Sequence, residues 1–67
     1  MTISLDEQLA CVKREIAIRE NVYPQWVRSR RMKQDVADSE IARMKAVLET
    51  LKSLQQDEER EVRDAEN

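Results

Sequence analysis

Histidine is absent from this chain, so the side chains that could do chemistry are carboxylates, guanidinium and ammonium groups, serine and threonine hydroxyls, one thiol and two aromatic rings. Asp35 and Asp38 are spaced as a carboxylate pair, the usual equipment for acid–base work. On a charged helix such pairs are solvated, and neither an enclosed pocket nor a nucleophile with its base can be assembled around them. With no glycine there is no phosphate-cradling loop. Cys11 is the only cysteine, which rules out an intrachain disulfide and a Cys/His zinc site; it reads as a small apolar residue on a helix face, suited to a reducing compartment. The chain is expected to be no enzyme and to take no metal, no other cofactor and no small-molecule substrate.

The stretch Asn21 to Lys33, NVYPQWVRSRRMK, holds the only proline, Pro24, and both aromatic residues, Tyr23 and Trp26. It also carries Arg28, Arg30, Arg31 and Lys33, with no acid between Glu20 and Asp35. Arginines contact phosphates and aromatic rings stack on bases, so nucleic acid is one chemistry to weigh. A sequence pI near 5.1 is far from a nucleic-acid-binding profile. Protein interfaces draw disproportionately on Trp, Tyr and Arg, and Tyr23, Trp26, Arg28, Arg30 and Arg31 therefore form the candidate partner-binding set. The two rings also keep the register of an apolar seam, which would let them close the end of a helical core.

The elements that position these residues are two helices. The composition is 39% charged and rich in residues that lose little on entering a helix. Ser4-Leu5-Asp6-Glu7 has the form of a capping box and starts helix one at Ser4 or Leu5. Leu5, Leu9, Val12, Ile16, Arg19, Tyr23 and Trp26 then follow alternating steps of four and three, with Cys11, Ile18 and Val22 beside them. Pro24 either kinks this helix or ends it near Val22; the unbroken seam register favours one kinked helix running to about residue 28. A turn is expected at about 29–32, without the glycine that commonly closes a helix. Helix two runs from about 33 to 54, with a seam of Ala37, Ile41, Met44, Leu48 and Leu51 flanked by Val36, Val47 and Leu54. From residue 55 the seam ends in an acidic segment that reads as a fraying or disordered tail.

Two matching seams joined by a short turn predict an all-α fold, an antiparallel two-helix hairpin. A domain of this size buries little of its surface, and the flanking sets would stay wet in a monomer. The chain is therefore expected to form a homodimer, a four-helix bundle whose core and dimer seams draw on Leu9, Val12, Ile16, Ile18, Ile41, Met44, Val47, Leu48 and Leu51. No stretch has the length and apolarity of a membrane span, and Asp6 and Glu7 lie where a secretory signal would be apolar, so a cytoplasmic protein without membrane contact is expected.

The run from Lys13 to Val27, with its V-Y-P-x-W-V core, followed by R-M-K-Q from Arg31 and A-D-S-E-I-A from Ala37, resembles a family of small proteins encoded by tailed temperate phages and prophages. The likeness spans roughly Leu5 to Leu54. Many members of that family carry glycine where this chain has Arg30, so the turn here is more basic. Among small helical-hairpin phage proteins are anti-activators that bind LuxR-type quorum-sensing regulators and block their DNA binding. The resemblance implies a host-takeover protein that modulates a host protein, such as a transcription regulator, in the cytoplasm of an infected or lysogenic bacterium. The alternatives are a nucleic-acid-associated accessory protein using the basic turn, and a structural hairpin that assembles with other phage proteins.

Overall fold

A computed structural model of the chain describes residues 2–66, with side chains as far as residue 62. Among the described residues there are two helices and no strands: α1, Leu5–Arg28, and α2, Gln34–Glu66. They form a hairpin that is antiparallel, since Glu20 meets Lys45 midway along and Asp6 meets Gln55 at the open end. The radius of gyration is 16.2 Å. A compact chain of this length would have a value of about 11 Å, so the molecule is a rod. No helix among the described residues is long and apolar enough to cross a membrane.

Ser4 caps α1 from an extended backbone, and its hydroxyl accepts from the Glu7 amide at 3.1 Å. The reciprocal half of the capping box is absent; Gln8 instead reaches back, its Nε2 donating to the Ile3 carbonyl at 3.0 Å. α1 passes through Pro24 without ending, as the seam register favours. Pro24 is exposed, so water can satisfy the carbonyl one turn back that has lost its amide partner.

α1 closes in a Schellman motif. The Arg31 amide donates to the Trp26 carbonyl at 2.8 Å and the Arg30 amide to the Val27 carbonyl at 3.1 Å. This geometry needs a left-handed residue after the cap, and Arg30 supplies it at φ 63°. The turn is thus a glycine-type helix stop made without glycine.

α2 begins at Gln34, one residue after Lys33, with Asp35 opposing the positive end of its dipole. It does not stop at Leu54. The segment expected to fray from residue 55 continues as helix through Glu66, because Gln, Glu, Arg and Ala are good helix formers even where no seam remains. α1 covers α2 as far as Gln55. The last 11 residues of the helix, Gln56 to Glu66, project about 16 Å beyond it.

The core is thin. Leu9, Ile16 and Ala37 are buried, while Val12, Tyr23, Ile41, Met44, Leu48 and Leu51 are half-buried. Trp26 does not close the turn end of this core, contrary to its seam register, and is 39% exposed. Steps of three and four average 3.5 residues, so on a helix of 3.6 the seam drifts by about 20° per heptad. After three heptads from Leu5 the drift is about 60°, which carries Trp26 off the seam. Val27, half-buried, closes the end in its place.

Candidate protein-binding surface

The hairpin has two unlike sides. At about 100° per residue, Cys11, Ile18 and Val22 lie roughly a third of a turn from the middle of the buried and half-buried stripe of α1, and Val36, Val47 and Leu54 lie roughly a quarter-turn, in the same rotational sense, from that of α2. Two antiparallel helices facing each other bring equal offsets of one sense to the same side. The two flanking sets therefore form one largely apolar face, interrupted between Val36 and Val47 by the Glu40–Arg43 ion pair at 3.2 Å. Ile18, Val36, Val47 and Leu54 are each 44–48% exposed, and Cys11 is exposed among them.

Offsets of the opposite sense meet on the other side, where the Glu20 carboxylate lies 3.4 Å from the Lys45 ammonium. That ion pair is exposed, as are the residues around it, so this side is solvated. It orients the helices more than it stabilises them.

At the turn end the apolar face meets aromatic and basic groups. The Tyr23 and Trp26 rings stand 5.7 Å apart, tilted by 33°. Such offset aromatic pairs contribute about 0.5–1.5 kcal/mol beyond their buried area, enough to hold the Trp26 ring in place although it is exposed. The rings line a shallow open groove of about 300 Å³ together with Glu15, Ile18, Arg19 and Val22. Arg19 occupies a seam position yet is half-buried, because its guanidinium is tied to the Glu15 carboxylate at 2.6 Å. That hydrogen bond, with a smaller contribution from Tyr23, holds the guanidinium above its ordinary pKa, and the paired Glu15 carboxylate in the same lining offsets its charge.

No family model, curated protein or solved structure matches the chain.

Arg28, Arg30 and Arg31 are all exposed around the turn, and among the described residues none of them makes an ion pair. Lys33 is exposed beside them. Of the candidate seam residues, Leu9 and Ile16 lie in the hairpin core and Ile18 and Val47 on the open face, with Val12, Ile41, Met44, Leu48 and Leu51 between. The structure brings Tyr23, Trp26 and the three arginines to one end of the rod.

Sequence reasoning missed two contributors. Val27 closes the core, and the heptad drift would have pointed to it. Gln55 is half-buried at the open end, where its amide donates to the Asp6 carboxylate. A polar residue with that role carries no periodic signal.

Proposed function

We propose that the protein is a non-enzymatic, protein-binding module that works as a homodimer. The observation that carries this reading is the one-sided apolar face, which ends in an exposed Trp26 ring packed on Tyr23 beside three exposed arginines. The paired part of the hairpin is about 33 Å long and the molecule 23 Å across. The resulting footprint, roughly 750 Å², is close to the ~800 Å² that each partner contributes to a standard interface. Packing two such faces together yields a four-helix bundle. The aromatic–arginine ends stay at the rim, where Tyr23, Trp26, Arg28, Arg30 and Arg31 are available to another protein.

The resemblance to small phage proteins supplies the partner class. In this reading the module is made by a temperate phage or prophage and acts in the cytoplasm of its host. There it binds a transcription regulator of the LuxR quorum-sensing type and prevents that regulator from holding DNA. The test is a gel-shift with a purified LuxR-type activator on its operator. The wild-type protein should dissolve the complex and a Trp26→Ala, Arg31→Ala double variant should not. An operator complex that persists at saturating wild-type protein would remove this partner class.

One observation favours a second reading. Arg28, Arg30, Arg31 and Lys33 are all exposed at one end with no acid among them, a patch able to contact phosphates. In that case the protein alone should shift DNA or RNA, with an affinity that falls steeply with salt and is lost when the three arginines become alanine.

A further inference from the structure

The two charged regions of the molecule sit at opposite ends. The turn carries Arg28, Arg30, Arg31 and Lys33, and the projecting part of α2 carries Asp57, Glu58, Glu59, Glu61, Asp64 and Glu66 in its sequence against Arg60 and Arg63. The paired length of the hairpin, about 33 Å, separates them. That is several times the Debye length of about 8 Å at physiological salt, so within one copy the two regions cannot neutralise each other. The separation equals the length of the apolar face. Glu58 and Glu61 continue the line of Val47 and Leu54 along α2, at steps of four and three from Leu54, so the acidic projection extends the apolar face lengthwise.

We infer that the partner of this face is a second copy laid antiparallel on it, with the acidic projection of each copy strapped over the basic turn of the other. The inference rests on the dimer proposed above and gives it its orientation. In the antiparallel arrangement the turn of one copy reaches the open end of the other, where Gln55 is the last residue that α1 covers and the projection begins. Opposite charges then meet at both ends. The parallel arrangement would set four basic residues against four more, and one acidic projection against another, and like charges across an interface are strongly disfavoured. End-to-end pairing of turn and projection would also match charge. It would leave the apolar face wet and build an open chain of copies, whereas the antiparallel pair is closed by a two-fold axis. The projection thereby acquires a role that its lack of a seam does not suggest. Each end of the dimer presents one copy's Tyr23, Trp26 and arginines beside the other copy's Glu58 and Glu61, which makes two equivalent composite sites.

Charge exchange tests the arrangement. A turn variant, Arg28→Glu with Arg30→Glu and Arg31→Glu, and a projection variant, Glu58→Lys with Glu59→Lys and Glu61→Lys, are compared with the full-length wild type by sedimentation equilibrium at low salt; far-UV circular dichroism verifies that each is helical. The wild type should be dimeric and no larger. Each variant alone should dimerise about tenfold or more weakly, since like charges now meet at both ends. Their equimolar mixture should recover the wild-type affinity, because a mixed antiparallel pair restores opposite charges at both ends. Variants that dimerise as well as the wild type, or a mixture that recovers nothing, would overturn the arrangement while leaving the dimer standing. So would a mixture that associates more tightly than the wild type, the signature of a parallel pair. A wild type that stays monomeric at every concentration would overturn the dimer as well.

Discussion

The Arg31 amide donates to the Trp26 carbonyl at 2.8 Å, and the chain can make this bond only because Arg30, between them, turns into the left-handed region at φ 63°. A side chain with a Cβ occupies that region at a cost of roughly 1–2 kcal/mol. The Schellman bonds and the packing of the two helices hold Arg30 there.

Arg30→Gly should therefore stabilise the hairpin. The relieved cost is partly offset by the backbone freedom that glycine loses on folding, about 0.5–1 kcal/mol. A net gain of up to about 1 kcal/mol is expected in urea unfolding at fixed protein concentration, against a loss for the β-branched Arg30→Val. Equal midpoints for the two variants would show that the left-handed turn is not what closes α1.

Ala37 is 2% exposed, the most buried residue of the core, and sits one turn into α2. Its small side chain sets how closely the helices approach near the turn. Ala37→Leu should overpack this point and cost about 1–3 kcal/mol. Thermal unfolding reads the effect, and a raised midpoint would mean that Ala37 leaves a void there.

Ser4→Ala removes the acceptor of the Glu7 amide and should cost about 1 kcal/mol, most of which Ser4→Asp should restore. Loss of hydrogen-exchange protection in the Ala variant should be confined to the first turn of α1. Loss spread over the whole helix would show that the cap nucleates more than its own turn.

Ile18 and Lys45 lie on opposite sides of the rod and should respond differently to substitution. Lys45→Ala breaks only the exposed pair with Glu20 and should change stability by less than about 1 kcal/mol. Ile18→Glu places a charge in the apolar face. If that face is the dimer interface, the wild-type unfolding midpoint rises with protein concentration, and Ile18→Glu lowers the midpoint and flattens that rise. A wild-type midpoint independent of concentration would remove the dimer.

The helices and their inner faces were legible in the sequence because their causes are local. Ser4 caps through its own neighbours, the seams of Leu9 with Ile16 and of Ile41 with Leu48 are spacings along one helix, and the excess of good helix formers acts residue by residue. What lies between the helices was not legible. That Cys11 and Ile18 share a face with Val47 and Leu54 depends on the rotation of each helix about its axis, which packing sets. The displacement of Trp26 by Val27 at the end of the core follows from the same packing, since it settles how far a drifting seam stays in contact. Nor does a sequence without glycine announce that Arg30 will take the left-handed position. The two seams and the break between them settled that there would be two helices, since each seam is a spacing within one helix. Only the tertiary structure decided which side of the rod stays apolar, because that is a relation between residues thirty positions apart.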